Sequence, residues 1–455
     1  MSRLILWCSA IILSLGFSTA HGASIELATF QADVTPPVGS PLCGGGVKAT
    51  IGVQDPLSAR GIILLPKGQA PIVLCSVDWT GIANSAYDQW RATLAEAAGT
   101  TPDRVAVQAL HQHDAPYADY DTHDLLAKHG LEGFTFNREF AEEALVRTGK
   151  AVKEALKTTV PVTHYGAGSA EVFEVASNRR ILDEKGKVRV MRFTACADPA
   201  IRAEPVGTID PLARVIAFWN KDEPVAVLSY YATHPQSYYN TGMVSYDFPG
   251  MARALREVAL PGAVHIHFTG AGGNIGAGKY NDGSPENRPV LANKLADGLK
   301  RAWEACEKQP IKAKDLEWTV RPTPLPVREE IDEAYEEKVL ANPKAPDAAR
   351  RQAARELVWR KRCAEGYAVP IQALRIQDAY IVHMPGELFV EYQIMAQEEK
   401  PNAVVATAAY GEYGAGYIGT KIAYEQGGYE TGLHVSRTST QVEDTLREAL
   451  EDLLK

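Results

Sequence analysis

Short runs of apolar, β-branched residues recur along this chain, separated by stretches of helical periodicity. That alternation confines the fold to an α/β or mixed core. Residues 61–65, 72–77, 104–110, 215–219, 225–231, 264–268, 380–383 and 403–408 read as strands, and 86–98, 138–155, 249–258, 289–308 and 440–454 read as helices. The last has Thr440 and Gln441 near its start and a Leu/Val stripe, so it is expected to dock against the core. Residues 327–367 differ: they are charged, rich in Ala, Glu, Lys and Arg, and broken at Asn342-Pro343 and Ala345-Pro346. They read as a helical hairpin inserted into a mixed-sheet α/β core flanked by helices, with the charge run as a solvated face.

The chain has 455 residues, 45% hydrophobic and 23% charged, a balance that excludes extensive disorder. Its net charge of −9 lacks the basic footprint of a nucleic-acid binder. Arg3 followed by the apolar stretch 4–17 and the small residues Ser18-Thr19-Ala20-His21-Gly22 has the build of a cleavable signal peptide covering 1–22. The apolar run is short for a membrane span and no later segment reaches that length. The expectation is therefore a secreted or periplasmic chain, 23–455, folded as one domain with no transmembrane segment. Cys43, Cys75, Cys196, Cys306 and Cys363 would remain, without a CxxC pair; a Cys306–Cys363 bridge stays open at this level.

Three expected strands end in residues that bind metals. The first runs into His111-Gln112-His113-Asp114, the second into Thr233-His234-Pro235, and the third into Met384-Pro385-Gly386-Glu387. In α/β sheets, sites form beyond the carboxyl ends of strands, so these termini are expected to converge. Imidazoles with a carboxylate suit zinc, whose catalytic sites combine His and Asp/Glu and leave a position for water. Other signals read as structural. His265 and His267 sit inside a strand, where hydrogen-bonded histidines are the simpler reading. Gly273 to Lys279 nearly spells a phosphate loop, but Tyr280 stands where Ser or Thr would hold magnesium. Tyr410, Tyr413, Tyr417, Tyr424 and Tyr429 cluster among glycines, either as a folded aromatic loop or as phenols that ligate metal or donate to an oxyanion.

The order of motifs resembles the neutral/alkaline (non-lysosomal) ceramidases, zinc amidases that cleave the N-acyl bond of ceramide. The elements are Ala32-Asp33-Val34-Thr35-Pro36-Pro37, Gln54-Asp55-Pro56-Leu57, Leu110-His111-Gln112-His113-Asp114-Ala115-Pro116, Ser177-Asn178-Arg179, Ile209-Asp210-Pro211, Ala232-Thr233-His234-Pro235, Tyr246-Asp247-Phe248-Pro249-Gly250, Met384-Pro385-Gly386-Glu387, and Tyr417-Ile418-Gly419-Thr420 through Gly428-Tyr429-Glu430. The resemblance spans most of 27–430. It implies a metallohydrolase core with one zinc per chain, held by His111, His234, Glu387 and Tyr424. It also implies His113 beside the metal and Arg179 near the site. Asn274 and Gly276 replace the family's acidic residue and serine, and Leu110, Gln112, Asp114 and Ala115 replace its Thr-Ser-Gly elements.

The resulting expectation is an exported zinc-dependent hydrolase of ceramide or a related N-acyl amide. His113 would move the proton, and Arg179 or Tyr429 would steady the oxyanion. Two alternatives stand beside it: an amidase or esterase acting on a more polar acyl compound such as an acylated sugar, and a non-catalytic protein that keeps the metal pocket.

Overall fold

The computed structural model describes residues 24–455, so the leader read at 1–22 lies outside the described residues. The elements group into three larger sheets. The first has the spatial order Val105–Ala109, Ile72–Val77, Ser58–Pro66, Ile25–Asp33, Val160–Pro161. The second runs Val264–Thr269, Glu223–Tyr231, Leu212–Asn220, His164–Glu171, Gln309–Pro310. The third runs Leu316–Thr323, Val369–Ile376, Ala379–His383, Val404–Ala408.

Each sheet is antiparallel except at one edge, where two strands run parallel. Parallel neighbours need a crossover, and a helix supplies it each time: Asn84–Ala98, Asp247–Ala259 and Val390–Glu399. The mixed α/β architecture expected from the sequence is thus present, built on three strand–helix–strand units.

Strand alternation explains how the three sheets pack. Along Ile72–Val77 the even positions Ile72 and Leu74 enter an apolar cluster shared with Phe218, Leu228, Ile266, Leu374 and Ile381 of the other two sheets. The odd positions Val73, Cys75 and Val77 face Trp90 and Leu94 of the Asn84–Ala98 helix, together with Phe140. In the third sheet Ile381 points into the shared cluster, while Tyr380 and Val382 pack towards the C-terminal helix Val442–Leu453. A strand buried on both faces reads as a continuous apolar run, which is why these segments stood out in the sequence.

The longer strands that escaped the sequence reading are Ile25–Asp33, His164–Glu171, Leu316–Thr323 and Val369–Ile376. His164–Glu171 (HYGAGSAE) has no β-branched residue and is held by pairing with Leu212–Asn220. Leu316–Thr323 and Val369–Ile376 pair across the whole insertion, a register that local pattern cannot reveal.

The insertion is a helical hairpin, Glu333–Ala341 and Asp347–Ala364, as expected. Its charge run is not simply a solvated face. The second helix packs Ala353 and Ala354 on Leu126 and Leu340, and sends Trp359 into the third sheet's outer core. With more than one side covered, Arg350 and Glu356 are buried, and Arg351, Arg355 and Arg362 are half-buried. The cysteines of the described chain are all free, so Cys306 and Cys363 are not bridged.

Candidate metal centre

All six strands of the three parallel pairs deliver a group to one place. After Ile72–Val77, the Thr80 carbonyl accepts from His111 Nδ1 at 2.7 Å; His111 itself follows Val105–Ala109. His234 follows Glu223–Tyr231, and the Gly272 carbonyl beyond Val264–Thr269 accepts from its Nδ1 at 2.9 Å. Glu387 follows Ala379–His383, and Tyr410, after Val404–Ala408, stacks on the His111 ring with centroids 4.3 Å apart. The convergence expected from three strand ends is therefore real, and three further ends orient its members.

The backbone is bent to make this possible. His111 has φ +76°, a left-handed conformation uncommon outside glycine, and its amide donates to the Trp79 carbonyl at 2.8 Å. Gly386 has φ +58°, and a Cβ there would lie 2.5 Å from the Gly416 carbonyl. Only glycine lets the chain turn so sharply into Glu387, whose amide donates to that same Gly416 carbonyl at 2.9 Å.

With both Nδ1 atoms facing carbonyls, His111 and His234 present unprotonated Nε2 atoms to each other at 3.3 Å. Glu387 Oε2 completes the triangle, 3.2 Å from His111 Nε2 and 3.3 Å from His234 Nε2. It is buried yet has no hydrogen-bond partner. The other carboxylate oxygen, Oε1, accepts from the Tyr413 hydroxyl. Three electron-rich atoms facing one another without a proton between them repel unless a cation joins them. A tetrahedral zinc-type ion with bonds of about 2.0–2.1 Å separates its ligand atoms by about 3.3–3.4 Å, so the triangle has the size of such an ion's face. The residues present fit a divalent metal.

Protonation states agree with this. Burial, with Arg179 nearby, lowers His234 to about 4. A neutral imidazole, as at His234, is the form that binds a metal.

His113 joins His111 and His234 in a group whose ligand atoms all lie within 4.8 Å of one another. Its Nδ1 is 3.2 Å from the His111 carbonyl, and burial followed by the two neighbouring histidines keeps it well below its usual pKa. Arg179 is buried, with one terminal nitrogen 3.3 Å from both the Gly273 carbonyl and His234 Nδ1, the latter closer to the Gly272 carbonyl, and 3.4 Å from the Tyr417 hydroxyl. Burial disfavours its charge, but Tyr417 and Glu430 keep it protonated. Tyr429 lies at the edge, 39% exposed, with its ring 5.7 Å from that of Tyr417. Burial, with Glu387 in electrostatic reach, pushes its phenol up to about 12.

Tyr424 is the one expected ligand that the fold does not bring to this group. Its hydroxyl sits 2.9 Å from both Ser436 Oγ and Thr438 Oγ1, and its ring packs beneath Arg328. The physical reason is its place on the short helix Lys421–Gln426, which carries it towards the Arg328 side. Besides Tyr410, the tyrosines whose hydroxyls reach the group are Tyr417, 3.5 Å from His234 Nε2, and Tyr413, bonded to Glu387. The sequence named both only as members of the glycine-spaced tyrosine cluster, without choosing them over Tyr424 and Tyr429. Asn274 has a structural task. Its Oδ1 accepts from the Val390 amide at 2.9 Å, and its Nδ2 donates to Glu391 at 2.9 Å, fastening the helix that follows Glu387.

No family model and no curated relative matches the chain. Among solved structures it is similar to neutral ceramidase from Pseudomonas aeruginosa, with a TM-score of 0.69 at 18% identity, covering 95% of this chain and 74% of that one. It is likewise similar to a ceramidase complexed with C2, with a TM-score of 0.68 at 16% identity, covering 95% of this chain and 75% of the other. The chain shares the fold of these ceramidases, in agreement with the order of its motifs.

Proposed function

We propose that this chain is an exported zinc-dependent hydrolase that cleaves an N-acyl amide bond, as a neutral ceramidase does when it splits ceramide into sphingosine and fatty acid. The observation that carries the reading is the buried, unpartnered Glu387 Oε2 at 3.2–3.3 Å from two Nε2 lone pairs. The ceramidase fold and the ordered motifs support it.

His111, His234 and Glu387 would hold the ion, which when bound polarises an acyl carbonyl and lowers the pKa of a bound water towards about 7. The chain's own residues do the rest. The carbonyls of Thr80 and Gly272 fix the imidazole tautomers, so both Nε2 atoms stay available. Tyr413 fixes the carboxylate rotamer through Oε1. His113, beside the triangle, is the side chain placed to carry a proton between the attacking water and the leaving amine. Arg179, kept cationic by Tyr417 and Glu430, and Tyr429 at the mouth donate towards the developing oxyanion.

The test is release of fatty acid from a fluorogenic ceramide by the purified protein, with and without a strong chelator, alongside its metal content. Chelator-sensitive release with about one zinc per chain supports the reading. Turnover that survives complete removal of metal refutes it. A second reading, the same chemistry on a more polar acyl compound, is favoured by the positive charge around Arg355 beside the site.

A further inference from the structure

Three guanidinium groups near the metal centre lie in electrostatic reach of one another with no carboxylate in ion-pair distance. Arg351 and Arg355 come from the inserted helix Asp347–Ala364, and Arg437 comes from the segment after the tyrosine cluster. Among the described residues, no acidic side chain lies within ion-pair distance of any of the three, although most other arginines of this helix and its surroundings are paired. Arg437 is 5% exposed and its Nε has no hydrogen-bond partner; the Nε atoms of Arg351 and Arg355 are equally unpartnered. Two carboxylates in electrostatic reach are committed elsewhere. Asp119 accepts from Asn84 at 2.9 Å and from the Thr122 hydroxyl at 2.6 Å, while Glu356 accepts from Gln352.

The cost of this arrangement is visible in the charges themselves. Burial and then Arg355 lower Arg351 to about 10, and the same two causes lower Arg437. Burying mutually repelling cations is unfavourable, and an anion among them removes both penalties.

The space is also prepared. Gly44 has φ +63°, and a terminal nitrogen of Arg355 occupies the space beside it, 2.1 Å from where a Cβ would lie. The Gly44 carbonyl accepts from Arg351 at 3.0 Å. Arg355 lies over the Tyr117 ring at 4.6 Å, and the Tyr117 ring meets that of Tyr413 at 5.5 Å. Tyr413 is the residue bonded to Glu387. The half-buried Cys43 lies within electrostatic reach of Arg355 and Arg351 and also of Glu387.

We propose that Arg351, Arg355 and Arg437 form an oxyanion subsite of the active centre, and that the substrate is an N-acyl compound with a carboxylate or phosphate on its headgroup. The inference rests on the hydrolase reading for the identity of the neighbouring site and gives it a substrate class. Guanidinium forks match the planar geometry of a carboxylate and the tetrahedral oxygens of a phosphate. Because the inserted hairpin supplies two of the three cations, the insertion sets specificity.

The experiment is calorimetric binding to the full chain stripped of metal by chelator, so that no ligand is consumed and the result stands apart from hydrolysis. The ligands are N-dodecanoylglycine, N-dodecanoylethanolamine phosphate and, as the neutral reference, N-dodecanoylethanolamine. One or both anions should bind about tenfold or more tightly than the neutral amide. Arg355→Gln and Arg351→Gln should each bring that ratio to within about threefold of unity, and Arg355→Lys should restore part of it. The two anionic arms then distinguish carboxylate from phosphate. Equal binding of all three ligands overturns the proposal, as does a preference that survives both Gln variants. Either result holds whether ceramide is hydrolysed or not, and an absence of hydrolysis with the preference intact counts against the hydrolase reading alone.

Discussion

Tyr413→Phe isolates the most exacting claim about the metal centre, that a single phenol aims the carboxylate. The Tyr413 hydroxyl bonds Glu387 Oε1, while Oε2 faces the two imidazoles with no hydrogen bond of its own. The substitution deletes one oxygen and keeps the ring, which packs 5.5 Å from both Tyr117 and His111. A hydrogen bond to a charged acceptor contributes about 1.5–3 kcal/mol. Without it the carboxylate is free to leave the rotamer that faces the nitrogen pair, and the metal must restore that rotamer on binding. At about 1.4 kcal/mol per decade, the expected loss is roughly 10- to 100-fold in zinc affinity, the usual range for groups that orient a ligand. The assay is competition with a chromophoric chelator at fixed pH, with circular dichroism confirming the fold. An affinity within twofold of wild type, or tighter, would refute the positioning role and leave Tyr413 as packing.

Other consequences can be checked independently. His234→Ala removes one corner of the triangle and should abolish zinc retention and turnover while the protein stays folded; wild-type turnover would show that the centre is misassigned. Arg253 makes two bonds of 2.7 and 2.9 Å to the fully buried Asp78, beside the loop that carries Thr80 and His111, so Arg253→Met should cost roughly 3–5 kcal/mol by leaving a buried carboxylate unpaired. That loss would appear as a lower urea midpoint at constant slope. Glu412 is pushed up to about 7 from an ordinary value near 4.5, chiefly by burial, so the folded state prefers the protonated form. Stability should be greatest below the unfolded value, fall by up to roughly 3 kcal/mol as pH rises through about 7, and then level off. Glu412→Gln should flatten that decline in melts between pH 5 and 8, and an unchanged slope would show that Glu412 does not cause it.

Much of the site was legible because its chemistry lies at strand ends. His111, His234 and Glu387 each follow a strong apolar run, and strand direction with the rule for sheet ends is enough to predict that they meet. The α/β class and the helical hairpin were legible for the same reason: apolar period and chain breaks are local properties of 72–77, 138–155 and 327–367. Tyr424 misled because several phenols share one loop, and only the local turns settle which of them faces inward. The short helix Lys421–Gln426 sends Tyr424 to Ser436 and Thr438, while Tyr417, paired beside Glu387, reaches His234. The inward arginines of Asp347–Ala364 were hidden in the same way, since a charged helical run looks solvated until something packs on it.

The sequence alone therefore determined which residues could bind a metal and which segments would be buried on both faces, because both follow from residue type and local period. Only the tertiary structure decided that the three parallel edges share one core, that Thr80 and Gly272 set the tautomers of His111 and His234, and that Tyr413 holds Glu387. Those contacts join residues far apart in the chain, and no local pattern encodes them. They exist because closing three sheets around one apolar cluster leaves six strand ends a single place to meet.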